Sequence, residues 1–364
     1  MKTRVFGFFI CMCVMMCGVF TSCKEKPMGV DEIYKNDASG VVLIMNRFYY
    51  TINIGGSVLY FTGVGEDGSL TNLTDKLAEI TRNSAVAFGT GFFISRDGNI
   101  LTNRHVVRPE IDKDVIRRAL GNQIVKIRSL FEAMRDAAEE QYNEAYYQGL
   151  YSDVDNSEQL EELRENMEEY DRNVAMLENI DLSEIRITAS SQVGIAYNGD
   201  QVSSARDFSA CTVTRVSGID DVDLALIRLN SKKTPKGCYI FHFASGTKGK
   251  RTLLETYWQR MRRDYKGRKL KAGTQLCMIG FNHGPQLAQT YRGLKSQITE
   301  GSLLQDPDEY RLMYSIPVLH GSSGSPVLNM YGDVVGVNFA KLQGTTSFNF
   351  GIPLKRIKEF LGME

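Results

Sequence analysis

The chain has 364 residues, with 43 basic and 43 acidic side chains and no formal net charge. That balance argues against a general nucleic-acid binder, and 33 glycines beside 8 prolines and a single tryptophan describe a globular rather than a low-complexity composition. At this length the chain holds one large domain or two sizeable ones, with ample apolar content for a core.

The N-terminus reads as a targeting segment outside the fold. Lys2 and Arg4 precede an apolar run over residues 5–20, and Thr21, Ser22 and Cys23 follow. This resembles a bacterial lipoprotein signal, which implies cleavage before Cys23 and lipidation of that residue; Phe20 stands where such signals usually carry Leu. An uncleaved anchor and a plain secretory signal are the alternatives, although sixteen residues are short for a membrane span. All three place the mature chain outside the cytoplasm. Cys211, Cys238 and Cys277 remain for the folded part, so at most one intramolecular disulfide can form. No pair has zinc-like spacing, and buried free thiols without metal or cofactor are expected.

Asp31-Glu32-Ile33-Tyr34 opens a short helical or extended lead-in. Val41-Val42-Leu43-Ile44, residues 48–54 and Ser57-Val58-Leu59-Tyr60-Phe61 read as three strands. Gly63-Val64-Gly65-Glu66-Asp67-Gly68 formally matches a dinucleotide-binding pattern. Glu66 and Asp67 would repel a pyrophosphate, so a tight turn is the expectation. Residues 85–95 form a strand, Asp97-Gly98 a hairpin turn, and residues 100–107 the return, which places His105 at or just after a strand end.

The pattern then changes. Ile116, Leu120, Ile124, Ile127, Phe131, Met134, Ala138, Tyr142 and Ala145 recur at helical spacing. After a polar loop over 148–157, Leu160, Leu163, Met167, Tyr170, Val174 and Leu177 form a second stripe. Two helices so joined predict an antiparallel hairpin. Between Glu132 and Glu184 it carries 17 acidic against 3 basic residues. Strands resume at 185–187, 192–197, 211–216, 222–229 and 239–243. Residues 248–271 carry 10 Lys or Arg against Glu255 and Asp264, opposite in sign to the helical arm. Further strands are expected at 271–281, 293–298, 310–316, 334–339 and 348–352, with a closing helix at 354–361. Many short strands with glycine turns point to β-barrels or a sandwich.

One turn carries nucleophile chemistry: His320-Gly321-Ser322-Ser323-Gly324-Ser325-Pro326. Taken alone it is equally an ordinary Gly/Ser hairpin. With Gly89-Thr90-Gly91-Phe92-Phe93-Ile94-Ser95, Ile100-Leu101-Thr102-Asn103-Arg104-His105-Val106-Val107 and Asp223-Leu224-Ala225-Leu226-Ile227 upstream, it resembles the corresponding segments of trypsin-like serine proteases, nearest to the bacterial HtrA/Deg-like branch. Gly280-Phe281-Asn282-His283-Gly284 and Phe350-Gly351-Ile352-Pro353 resemble further landmarks of the second barrel. The order His, Asp, Ser belongs to two-barrel proteases, whereas an α/β-hydrolase runs Ser, Asp, His and needs a G-x-S-x-G that Ser325 spoils.

The resemblance implies a mainly β chain with two six-stranded-type antiparallel β-barrels and an inserted α-helical hairpin. The expected layout is a signal at 1–23, the first barrel at 24–111 and 186–245, the acidic hairpin at 112–185, a basic insertion at 246–271, and the second barrel with its closing helix at 272–364. It implies Ser323 as nucleophile, His105 as general base and Asp223 as the residue orienting His105, preferred over Asp220 and Asp221 because it directly precedes the apolar strand. The backbone N–H groups of Gly321 and Ser323 would form the oxyanion hole. Ser322 stands where trypsin-type enzymes carry the aspartate that receives a freed N-terminus, so activation by that route is not expected. The pocket floor would be Pro317, Val318 and Leu319, with a wall from Asn338, Phe339 and Ala340. Lacking an acidic residue there, it favours small or medium apolar side chains over Lys or Arg. The implied function is a serine endopeptidase of the cell envelope, cutting unfolded or exposed protein segments and lipid-anchored at Cys23. A catalytically silent protease-fold scaffold is the alternative. Only about a dozen residues follow Ile352-Pro353, so no PDZ domain is expected there. The acidic arm and the basic segment are expected either to contact each other or their copies in a homo-oligomer, or to be inert solvated surface.

Overall fold

The computed structural model describes residues 26–54, 56–152, 155–243, 270–341 and 348–363. The signal with Cys23, and all of the basic stretch up to 269, lie outside them. Helix α1 (Val30–Asp37) and a 3₁₀ turn (Ala38–Gly40) lead into β1 (Val41–Ile54). The two strands expected here are one. Met45-Asn46-Arg47 offers no Gly or Pro to interrupt the ladder, and the first six residues of β1 are buried. Strand β2 (Ser57–Phe61) pairs antiparallel with β1, Ile52 facing Leu59. Strands β3 (Gly63–Val64) and β4 (Leu70–Thr71) form a small hairpin around the glycine-rich stretch. There the Asp67 carboxylate accepts from both the N–H and the hydroxyl of Ser69, which makes the expected tight turn.

Helix α2 (Leu77–Arg82), β5 (Ala85–Phe93), β6 (Asn99–Thr102) and the one-turn helix α3 (Arg104–Val107) follow. Then come α4 (Lys113–Tyr151) and α5 (Ser157–Glu178), the inserted hairpin, and β7 (Arg186–Tyr197), β8 (Ser209–Val216) and β9 (Ala225–Leu229). The strand order is β2-β1-β5-β6-β9-β8-β7, and β1 also pairs with β7. That pairing closes β1, β5, β6, β9, β8 and β7 into a six-stranded barrel, which removes its free edges.

The second sheet is built from β10 (Gln275–Gly280), β13 (Gln297–Ser302), β14 (Leu312–Tyr314), β15 (Pro326–Asn329), β16 (Val334–Lys341) and β17 (Asn349–Pro353), in the order β13-β10-β15-β16-β17-β14. It is curled, and its two edges meet through a Leu303–Tyr314 bridge. Between β10 and β13 lie α6 (Pro285–Ala288) and the short hairpin β11 (Gln289–Thr290) with β12 (Gly293–Leu294). Helix α7 (Leu354–Leu361) closes the chain and ends on Gly362 in the left-handed region.

The strand expected over 239–243 does not form. Only Phe243 bridges, to Val334, while Phe241 N–H goes to the Phe93 carbonyl and Tyr239 N–H to the Ser39 side chain. The apolar alternation serves ring packing instead: Phe241 meets Phe92 and Tyr239 edge to face.

The chain divides into two compact units. One comprises residues up to Met45, Phe88–Val106 and everything from Val193 on. Its cores gather Phe92, Leu101, Phe281, Leu328 and Val337 in one cluster and Met278, Leu312, Tyr314 and Val327 in another. The other unit holds Asn46–Ala87 and Val107–Gln192. There Tyr50, Ile52, Phe61 and Leu70 pack against Ile116, Ala119 and Leu120 at the foot of α4, so the helical arm is rooted in a core. The Asp112 carboxylate caps α4 by accepting from the N–H groups of Asp114 and Val115. Cys211, Cys238 and Cys277 are free, and burial pushes the Cys211 and Cys277 thiols up to about 12, which keeps them protonated and inert. No described helix is long and apolar enough to cross a membrane.

Candidate active site

His105 leaves the first barrel on α3, one residue beyond the start of that turn. Its Nδ1 lies 2.5 Å from an Asp223 carboxylate oxygen, and its backbone N–H donates to the other oxygen at 3.1 Å. Asp223 itself sits just before β9 and is fixed from behind: the Asn103 amide donates to its carbonyl at 2.7 Å. Arg104 ties down the preceding turn through the carbonyls of Ser217, Ile219 and Asp220. Burial pushes the Asp223 carboxyl up. The hydrogen bonds and charge of His105, with the Arg104 guanidinium nearby, outweigh it and leave the group below the ordinary aspartate value. Asp223 therefore stays ionised at neutral pH and holds the Nδ1–H tautomer, which turns Nε2 outward as an acceptor.

The serine turn is set by its backbone. Ser322 N–H returns to the Leu319 carbonyl at 3.1 Å, and Gly321 at the third position has φ +90°, the arrangement of a type II turn that favours glycine there. Gly324 (φ +87°) is the second obligatory glycine, since a Cβ there would run into the Thr90 carbonyl and the Thr102 hydroxyl. All five carbonyls over 319–323 accept hydrogen bonds: from Ser322, from His283 N–H, from the Thr90 hydroxyl (2.8 Å), from Ser325 N–H and the Asn338 amide, and from Thr90 N–H (2.8 Å). The amides of Ser322, Gly324 and Ser325 are also engaged. Those of Gly321 and Ser323 have no acceptor among the described residues. A turn with every carbonyl engaged and these two N–H groups open offers donors to an incoming oxyanion. The Ser323 hydroxyl makes no hydrogen bond to the His105 ring among the described residues, and such contacts commonly tighten only when substrate is bound.

Residues 89–337 match the trypsin-like peptidase domain. The chain belongs to the trypsin-like peptidase family. Among curated proteins, "Serine protease HTRA4" of Mus musculus is 48% identical over 95 residues, covering 25% of this chain and 19% of that one. "Serine protease HTR4" of Rattus norvegicus is 40% identical over 95 residues, again 25% and 19%. The Bos taurus protein of the same name is 33% identical over 99 residues, or 26% and 20%. The match thus spans about a fifth of these relatives' length. Among solved structures, a serine endoprotease from Yersinia pestis aligns with TM-score 0.44 and 13% identity, over 93% of this chain and 67% of that one. The family is one of peptidases, and these curated relatives are serine proteases.

Not every pocket residue of this peptidase chain converges. Val318 is buried in the core behind the turn, whereas Pro317 and Leu319 are exposed. Asn338, expected on the wall, directs its amide to the Ser322 carbonyl and accepts from the Tyr314 hydroxyl at 2.7 Å, so it braces the serine turn from inside. Phe339 is half-buried, and the Ala340 side chain lies outside the described residues. Ser325 has no positive φ, as its replacement of glycine requires, and its buried hydroxyl lacks a hydrogen-bond partner.

Thr90 is the residue that sequence reasoning missed. It is fully buried, its hydroxyl donates to the Gly321 carbonyl and accepts from Phe281 N–H (3.0 Å), and its backbone N–H holds Ser323. Thr102 in turn donates to the Thr90 carbonyl at 2.7 Å. A polar, β-branched residue amid the glycines and phenylalanines of β5 was the available signal.

Proposed function

We propose that this chain is a serine endopeptidase of the cell envelope that cuts unfolded or exposed protein segments through an acyl-enzyme. Ser323 attacks the scissile carbonyl, and its proton passes to His105 Nε2 and then to the leaving amine. Asp223 fixes the imidazole tautomer and stabilises the imidazolium. The N–H groups of Gly321 and Ser323 receive the oxyanion, each worth about 3 kcal/mol of transition-state stabilisation. The observation that carries this reading is the Asp223–His105 contact through Nδ1. It leaves Nε2 as the ring atom available to a serine hydroxyl.

The apolar run at 5–20 and Cys23 support export and lipid anchoring. Of the residues expected at the pocket floor, Pro317 and Leu319 are the exposed ones and neither is acidic, which supports cleavage after small or medium apolar side chains. A fluorophosphonate probe should label the wild-type chain at Ser323, and Ser323→Ala should abolish the label and lower kcat/KM by roughly 10⁵–10⁶-fold with unchanged melting temperature. Labelling that persists in Ser323→Ala, or is absent from both proteins in the presence of a cleavable polypeptide, would overturn the assignment and favour a silent scaffold.

A further inference from the structure

The first compact unit contains a cavity of about 420 Å³ remote in sequence from the His105, Asp223 and Ser323 segments. Its wall comes from α1 and the following 3₁₀ turn, the loop after β7, and the β11–β12 hairpin. Among its lining residues are three cations, Lys35, Arg292 and Lys295, all solvent-exposed at the cavity's open side, and no Asp or Glu. None of the three has an ion-pair partner among the described residues. Arg292 only stacks over the neighbouring Tyr291 ring, 5.1 Å from its centroid.

The rest of the wall is internally satisfied and therefore rigid. Asn198 donates to the Ala38 carbonyl (2.5 Å) and accepts from Ser296 N–H (2.7 Å), and Tyr34 donates to the Ser296 carbonyl (2.7 Å). Gly199 N–H goes to the Leu294 carbonyl and Leu294 N–H to the Asp200 carbonyl. The Ser39 hydroxyl accepts from Tyr239 N–H at 3.0 Å and keeps its own proton to donate. Around this frame stand three exposed cations and one hydroxyl donor, drawn from two chain segments more than 250 residues apart. Cations gathered without a counter-charge repel one another, and a bound anion removes that cost.

We propose that this cavity binds a phosphate-bearing ligand, with Lys35, Arg292 and Lys295 neutralising the phosphate and Ser39 donating to it. Phosphate fits better than a halide, because the guanidinium of Arg292 offers paired donors and the volume exceeds that of a bare ion. Two sources share the chemistry: a soluble phosphoester and a phospholipid headgroup. Only six residues separate Cys23 from the start of α1, at most about 25 Å of chain, so the lipid source follows from the envelope reading and the soluble one does not.

The test measures binding of glycerol 3-phosphate by calorimetry at fixed ionic strength. It compares the wild-type chain with K35Q/R292Q/K295Q and, as a milder change, R292Q alone. In parallel, flotation compares vesicles of phosphatidylglycerol with vesicles of phosphatidylcholine. Saturable binding of glycerol 3-phosphate or preference for phosphatidylglycerol, weakened at least tenfold in the triple variant and partially in R292Q, supports the site. Vesicle preference lost in the variant identifies the headgroup source, and phosphoester binding without it the soluble one. Undetectable binding to both probes, or equal binding by wild type and triple variant, would sink the proposal. Fluorophosphonate labelling of Ser323 should be unchanged in both variants, so failure here is separable from failure of the protease reading.

Discussion

In the serine turn, five consecutive carbonyls accept hydrogen bonds, two of them from a threonine that is fully buried. In the hairpin of α4 and α5, polar contacts such as Arg164 with Glu161 and Glu168 join side chains about half exposed, one turn apart. In the first region every carbonyl is engaged and, over 321–325, only the amides of Gly321 and Ser323 lack an acceptor among the described residues; the second is a solvated face on a helical stripe. Both are rich in polar groups, yet burial decides what those groups are worth. A hydrogen bond lost in the turn strands its partner away from water, whereas one lost on the hairpin is replaced by solvent.

The sharpest way to break the turn is Gly324→Ala. With a positive φ and the Thr90 carbonyl in the path of the new methyl, the variant should lose roughly 3–5 kcal/mol in urea unfolding, together with peptidase activity. Thr90→Val keeps the shape and removes the hydroxyl, leaving the Gly321 carbonyl and Phe281 N–H unpaired. A loss of about 2–4 kcal/mol is expected. Its kcat/KM should also fall further than that of an exposed substitution with the same stability cost, because Gly321, whose N–H is one of the two proposed oxyanion donors, has lost the brace on its carbonyl. Equal activity in the two variants would leave Thr90 a purely structural residue.

A buried group outside the site tests the same contrast through pH. Asp37 is almost fully buried, and burial, with the nearby Asp333 carboxylate, pushes its carboxyl from 3.8 up to about 7. Well below the lower of these values it is protonated in both folded and unfolded chains and costs nothing. As pH rises towards 7 the unfolded chain releases the proton more readily than the folded one, so stability falls across that window and levels off above it. Asp37→Asn removes the ionisable group. Its melting temperature relative to wild type should therefore rise from about pH 4 to about pH 8, and a flat difference would reject this account. The smallest effect belongs to the hairpin: Arg164→Ala should leave the urea midpoint nearly unchanged, and what change there is should shrink further in concentrated salt.

The segments of His105, Asp223 and Ser323 stand out in the sequence because each is a short contiguous motif, and the structure brings the first two residues together. The helical hairpin was legible because its apolar stripe repeats at the helical period, although α4 runs on to Tyr151, past the expected start of the loop at 148. The bracing of the site was not. Thr90, Asn338 and His283 act on the serine turn through backbone carbonyls, and nothing in the local sequence marks a carbonyl that needs a partner. Residues 239–243 misled for a related reason: alternation of apolar residues signals burial, and here the partner is a cluster of rings rather than a neighbouring strand.

The hydrogen bond from Thr90 to the Gly321 carbonyl joins residues 231 positions apart. A contact of that separation forms late, after most of the loop-closure entropy has been overcome. During synthesis the serine turn therefore cannot take its shape while the chain is short, even though β5 has long since emerged. The turn that carries Ser323 thus waits on a partner from the other side of the inserted hairpin, and its shape is a product of the assembled fold rather than of its own seven residues.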